Sequence, residues 1–383
     1  MSWQHIRGHE FWVRSFADAA RRGRLAHAYL FAGSAGIGKK LFALELAKAL
    51  LCTANDENVT TTARFLPSPP LRGRGDGGEG AREAVLGGRS SPSPQPSPPE
   101  AGGEDLLSAC DQCPSCWQVA AGTHPDVIFA SRPEDKVEFP IDTMREVMEK
   151  LALKPARGGY KVAIIDDADD FNLESANCFL KTLEEPPPKS LLILIATDPE
   201  RQLPTVLSRC QVIHFRPVPV AEVTAFLREQ GIEPGRAERL AKISGGSPGQ
   251  ALELAEGDLW NFRKEFIAEL ARTRPDSVRL AKKWMAFTEE AGTESGAQRR
   301  RAALLLKLIM EFLEDVLRAS LGVEIPDVDL EDRPAVEALA RRLGPDRVVK
   351  LLDRCLDANY HIDRRVQLVL IIESLVDALT NVA

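Results

Sequence analysis

Several things are missing from this chain, and each absence narrows what it can be. No apolar run approaches the roughly 18 residues that a membrane-spanning helix needs. Positive charge is not in excess: 49 Lys and Arg face 56 Asp and Glu, for a net charge of −7. That balance argues against a stand-alone nucleic-acid binder, which would carry a basic face. Met1-Ser2-Trp3-Gln4-His5 runs straight into mixed polar sequence, with no signal-peptide pattern. A cytoplasmic location is therefore the expectation, and the seven cysteines are expected to be thiols or metal ligands rather than disulfides. The most telling absence is a single hydroxyl. Gly33-Ser34-Ala35-Gly36-Ile37-Gly38-Lys39-Lys40 matches the phosphate-loop pattern G-x-x-x-x-G-K-[ST] at every fixed position but the last. There the residue that would hold Mg²⁺ is Lys40, a cation with no lone pair to offer a metal.

What is present supports the loop. His27-Ala28-Tyr29-Leu30-Phe31-Ala32 reads as a buried strand before it. The residues from Leu41 to Leu51 are good helix formers, with Leu41, Leu44 and Leu51 at helical spacing. Tyr160-Lys161-Val162-Ala163-Ile164-Ile165 ends in Asp166-Asp167-Ala168-Asp169, which predicts a central parallel strand with carboxylates at its C-terminal end. Ligands of open α/β sheets bind at that end. Asp166 is a candidate to hold Mg²⁺, and Asp167 stands where an active ATPase usually has Glu. Leu191–Ala196, ending at Thr197, is a third buried run that can bring a polar side chain to the same end. Asp126–Phe129 and Val212–Phe215 complete five candidate strands, and helical stretches alternate with them. The expected fold is a parallel sheet covered on both faces, followed by an all-helical region.

An insertion over 53–109 breaks this pattern. Eight of the 26 prolines fall between Pro67 and Pro99, and the bias from Thr53 to Asp105 predicts disorder. Cys110-Asp111-Gln112-Cys113-Pro114-Ser115-Cys116 follows at once. This C-x₂-C-x₂-C spacing suits one tetrahedral zinc, with Cys52 as the fourth ligand across the insertion. His124 is the rival fourth ligand, and an iron–sulfur cluster or free thiols are the other readings. Cys178, Cys210 and Cys355 lie alone in apolar or helical surroundings and are expected to pack.

Three stretches make the chain resemble the AAA+ clamp-loader family of bacterial DNA polymerase III, and within it the delta-prime subunits. They are His27-Ala28-Tyr29-Leu30-Phe31 before the loop, Leu180-Lys181-Thr182-Leu183-Glu184-Glu185-Pro186-Pro187 after the acidic strand, and Leu207-Ser208-Arg209-Cys210. The resemblance covers Met1 to about Leu254 and then thins, with Asn359–Arg365 the last match. It implies that Arg209 is an arginine finger offered in trans to ATP on a neighbouring subunit. From residue type alone, an internal salt bridge is the equal alternative. AAA+ lids usually carry an arginine in a Gly-Ser-x-Arg run, but Gly246-Ser247-Pro248-Gly249 has glycine there. With Lys40 and Asp167, this makes a third departure from an active ATPase.

The domain plan that follows is an AAA+-like domain over 1–218 with the zinc module inserted, a helical lid over 219–258, and a helical collar over 259–383. Nucleotide binding through Gly33, Gly36, Gly38, Lys39, Asp166, Asp167 and Thr197 stays open, while hydrolysis is not expected. The implied partners are the tau/gamma ATPase and delta subunits in a pentameric ring, the sliding clamp, and primed DNA through the complex. The competing readings are an active tau/gamma-like clamp-loader ATPase and a zinc-containing DNA-binding regulator. The first would want a hydroxyl at 40, Glu at 167 and Arg at 249. The second would want a basic stripe.

Overall fold

A computed structural model describes residues 2–55, 107–133, 136, 138–157, 159–323 and 331–381. Most of the insertion, 56–106, lies outside them, as does the expectation of disorder there; at its edges that expectation fails, since Thr53–Asn55 form a short 3-10 turn and Leu107 and Ala109 are buried against the knuckle and its surroundings. The described chain divides into two compact units. The first comprises Met1–Ala32, Lys39–Ser131 and Phe139–Phe215, and the second Gly33–Gly38, Arg132–Glu138 and Arg216–Ala383.

The first unit is built on five parallel strands: β1 (Ala28–Ala32), β2 (Val127–Ala130), β3 (Lys161–Ile165), β4 (Ser190–Ala196) and β5 (Gln211–His214). Their order in the sheet is β2-β3-β4-β1-β5. Every residue of β1, β3 and β4 is buried, which explains why they read as unbroken apolar runs rather than alternating ones. On one side of the sheet Phe16, Phe31, Phe42 and Phe215 form a ladder of tilted and edge-on rings 5.0–5.8 Å apart. On the other, Phe139, Met144, Val147, Ala176, Phe179 and Leu183 pack against alternate residues of β3 and β4. This is the covered parallel sheet expected from the sequence.

The helix after the loop, Lys39–Leu51, differs from the simple expectation. Leu41 is exposed, while Phe42, Ala43, Leu46, Ala47, Ala49 and Leu50 are buried. The helix is embedded around much of its girth, so small alanines carry its packing and the leucine spacing misidentifies the core stripe. The Leu173–Glu184 helix buries residues at plain helical spacing. Asn172 caps it with a reciprocal Ser175 box, Ala176, Phe179 and Leu183 are buried, and the chain leaves before Pro186.

The second unit contributes helices from Val220–Glu229 through Leu368–Thr380, and its described elements after Arg216 are all helical. One hydrophobic core runs from Val223 and Leu240 through Trp284 and Phe312 to Val376. A charged group sits inside this unit. Arg263 is fully buried, with Nη1 donating to Asp332 Oδ2 at 2.6 Å, and Arg239 Nε donates to Glu311 at 2.6 Å. Guanidinium forks suit such paired burial because their N–H groups can meet several carboxylate oxygens at once: Arg263 Nη2 also donates to Glu311 Oε2 at 3.4 Å, while its Nε has no partner. No helix among the described residues is long and apolar enough to cross a membrane.

Candidate functional site

The cysteine knuckle forms at the end of the Lys39–Leu51 helix. Cys52 follows that helix directly, and Cys113 caps the short Pro114–Ala120 helix. The four sulfurs of Cys52, Cys110, Cys113 and Cys116 all lie within 4.8 Å of one another. Four thiolates around one tetrahedral Zn²⁺ at about 2.3 Å would have sulfurs roughly 3.8 Å apart, so the donor set fits that ion. Backbone N–H groups already turn toward the sulfurs: Cys110 to Cys52 at 3.4 Å, Cys113 to Cys110 at 3.3 Å, Cys116 to Cys113 at 3.4 Å. Such donors favour thiolate. For Cys113, burial pushes the thiol up, but hydrogen bonding from Thr53 and the Cys116 N–H outweighs it and brings the pKa to about 6.

His124, the rival ligand, is not part of this group. It is buried elsewhere, with Nδ1 accepting the Asp126 N–H at 3.0 Å. Side chains tie the knuckle down: Lys48 bridges Asp111 at 2.9 Å, and Asn55 donates to the Ser108 carbonyl at 2.9 Å. Of the remaining cysteines, Cys355 is fully buried and Cys178 and Cys210 half-buried, all against apolar neighbours.

Within the first unit, the strand ends carry the predicted acids. Asp166 follows β3, and its Oδ1 accepts the Asp167 N–H at 3.1 Å while Oδ2 faces Lys40 Nζ at 3.7 Å. Asp167 sits in the left-handed region with φ 56° and caps the Ala168–Asp170 turn. Asp169 reaches across to β4 and accepts the Thr197 N–H at 2.5 Å and the Asp198 N–H at 3.4 Å. The Thr197 side chain is exposed just past the strand. Lys39 is buried, which lowers its pKa to about 8 against the opposing pull of Asp166 and Asp169. This donor set does not suit Mg²⁺. The ion needs several oxygens, but no hydroxyl stands at 40 and the Lys40 ammonium faces Oδ2 of Asp166.

In the second unit, the glycine loop meets the Pro248–Leu254 helix. Gly249 N–H donates to the Gly36 carbonyl at 3.0 Å, and Ser247 Oγ donates to the Ala35 carbonyl at 2.9 Å. The contact has no room for side chains. A Cβ on Gly249 would come 3.0 Å from the Gly36 oxygen, and one on Gly36 would come 2.5 Å from Ser247 Oγ. Gly36 also has φ 75°, which strains any L side chain. Position 249 is thus a tight backbone contact as well as a missing arginine. Gly33 and Gly38, the motif's flanking glycines, lie in the same stretch with positive φ.

Arg209 follows the short Pro204–Leu207 helix. Its Nη2 donates to Glu184 Oε1 at 2.6 Å, and its Nη1 to the Thr205 carbonyl at 2.9 Å and Ser208 Oγ at 3.1 Å. In the isolated chain the guanidinium is therefore held by an internal ion pair, the alternative that residue type alone left open. The Arg209 side chain is 23% exposed and Glu184 51%, so the pair meets solvent and is cheap to open, at about 0–1 kcal/mol. Sequence reasoning missed the partner, although Glu184 lies inside the Leu-Lys-Thr-Leu-Glu-Glu run. It also missed Phe129, whose ring lies beneath Lys40 and which no motif marks.

Comparison with known proteins agrees with this architecture. A family model described as "DNA polymerase III, delta subunit" matches residues 8–64 and 101–219. The delta-prime subunit of Escherichia coli DNA polymerase III is 32% identical over 246 residues, covering 64% of this chain and 70% of that protein. The delta-prime subunit of Pseudomonas aeruginosa is 28% identical over 363 residues, covering 92% of each. The tau subunit of Escherichia coli is 29% identical over 256 residues, but this chain spans only 32% of its length. With its parallel sheet, altered phosphate loop and cysteine knuckle in one sequence, the chain belongs to the family of DNA polymerase III delta-prime subunits.

Proposed function

We propose that this chain is a non-hydrolysing member of a clamp-loader ring and lends Arg209 to ATP held by a neighbouring subunit. The observation that carries the first half is the glycine at 249, packed against the Gly36 carbonyl where the family's lid arginine would stand. The contact takes a loop carbonyl and not the N–H groups that a phosphate would use, so it bears on the absent lid cation and leaves nucleotide binding open. Lys40 and Asp167 point the same way. Arg209 supports the second half: it sits near the ligand end of the sheet, held by a partly exposed ion pair to Glu184 and by local bonds to Thr205 and Ser208. Residues 219–258 then act as lid and 259–383 as collar in a ring with tau/gamma and delta subunits. The ring opens the sliding clamp and loads it on primed DNA in the bacterial cytoplasm. Zinc in the knuckle is structural, since four thiolates leave no position for a substrate.

The test uses the assembled ring. Purified alone with Mg²⁺ and DNA, the chain should show only background ATPase. In the ring, Arg209→Ala should leave assembly intact and lower ATPase and clamp loading partially, because other sites keep their own fingers. Arg209→Lys should not restore them fully, since an ammonium lacks the fork. Equal rates in intact wild-type and Arg209→Ala rings would make Glu184–Arg209 a purely internal pair. Turnover by the chain alone that vanished in Lys39→Ala would favour the active-ATPase reading.

A further inference from the structure

The loss of the metal-binding hydroxyl raises a question of charge. Substitution of the hydroxyl by alanine, for example, would leave Asp166 at the strand end with no metal and only the buried Lys39 as a nearby cation. This chain carries lysine instead, and the lysine is placed. Lys40 is the second residue of the Lys39–Leu51 helix, and its Nζ lies 3.7 Å from Asp166 Oδ2. The same Nζ lies 4.1 Å from the centre of the Phe129 ring. Phe129 is on β2, paired with Ile164 of β3, so ring and carboxylate come from neighbouring strands. Three elements thus converge on one ammonium. The ring face attracts it through its quadrupole, and the carboxylate through charge. The other oxygen of Asp166 accepts the Asp167 N–H, which fixes the carboxylate so that Oδ2 is turned to the lysine.

We propose that the Lys40 ammonium is a built-in replacement for the divalent cation. It neutralises Asp166 and keeps Mg²⁺ out, so that the strand-end site is metal-independent by construction rather than merely incomplete. The consequence is specific. Asp166 remains a competent metal ligand that is masked by one side chain, and unmasking it should bring the metal back. The proposal rests on reading 33–40 as a former phosphate loop, but it concerns metal occupancy and not turnover. Equal rates with Arg209→Ala would therefore leave it untouched.

The experiment is a Mn²⁺ titration followed by electron paramagnetic resonance on the full, zinc-loaded chain. The variants are Lys40→Thr, Asp166→Asn and the double substitution, with Lys40→Met to remove charge while keeping bulk. Wild type should show no Mn²⁺ site that depends on Asp166. Lys40→Thr should raise Mn²⁺ affinity about tenfold or more, as expected for trading a positive charge near 4 Å for a neutral oxygen ligand. The gain should disappear in Lys40→Thr/Asp166→Asn. Lys40→Met should show a smaller gain that also depends on Asp166. Because Lys40 is half exposed, all variants should melt near wild type, which thermal unfolding checks. Mn²⁺ binding by wild type that Asp166→Asn removes would overturn the proposal. So would a folded Lys40→Thr variant that gains no Asp166-dependent site.

Discussion

The cysteine knuckle and the acidic strand ends are both sets of potential metal ligands, and they have opposite degrees of completion. In the knuckle, four sulfurs from two segments converge within 4.8 Å, with N–H groups directed at three of them. At the strand ends, Asp166 faces a lysine and Asp169 is spent on the backbone of Thr197 and Asp198. Four thiolates converging in this way are stable together only with a cation among them. A carboxylate already paired with an ammonium needs no metal. The difference lies in what the donors face: the four sulfurs face one another, while the carboxylates face an ammonium and backbone N–H groups.

The largest effect should come from breaking the complete centre. Cys113→Ser, or prolonged chelation of wild type, should take zinc from about one per chain to almost none and cost several kcal/mol. The ceiling is the roughly 10–16 kcal/mol apparent binding energy of small zinc modules. Elemental analysis with thermal unfolding measures both. Full retention of zinc in the variant, or visible absorbance from iron, would remove the contrast altogether.

A smaller effect should come from forcing a side chain into the closed loop. Gly36→Ala meets Ser247 Oγ at 2.5 Å and requires φ 75°. A loss of about 2 kcal/mol is expected from left-handed strain and displacement of the hydroxyl. Denaturant unfolding checks it, and an unchanged midpoint would mean the Gly36–Ser247 contact is not kept in solution. Measured against Ser247→Ala alone, which loses the cap on Gln250 and the bond to Ala35, adding Gly36→Ala should cost less than it does in wild type, since the Oγ clash is gone while the strain and the approach to the Gln250 N remain.

The smallest effect should come from the insertion. Deleting Arg64–Glu104 shortens the connection between Cys52 and Cys110 roughly fourfold, worth about 1 kcal/mol of added stability at most. Zinc content and ring assembly should not change. Loss of metal or of folding after the deletion would show that the knuckle depends on more than its four cysteines and their anchors.

Much of the fold was legible because its signals are local. Unbroken apolar runs mark β1, β3 and β4 because parallel strands are buried on both faces. Pro186 marks the end of the Leu173–Glu184 helix by ring sterics. The Lys39–Leu51 helix was harder. Its core stripe is built of Phe42, Ala43, Leu46 and Ala49, and alanine carries little hydrophobic signal in a sequence.

The sequence alone determined which residue types the sites contain: four cysteines at knuckle spacing, lysine for a hydroxyl at 40, aspartate at 167, glycine at 249. Those identities are covalent facts and limit the chemistry whatever the fold. Only the tertiary structure decided the partners, because they come from distant parts of the chain. It brought Cys52 and not His124 to the knuckle, set Glu184 against Arg209, and pressed Gly249 onto Gly36. It also put Phe129 under Lys40 and turned Asp166 toward it. Whether a lysine is a defect or a replacement depends on where its ammonium ends up, and that is fixed by strand order and helix packing rather than by spacing along the chain.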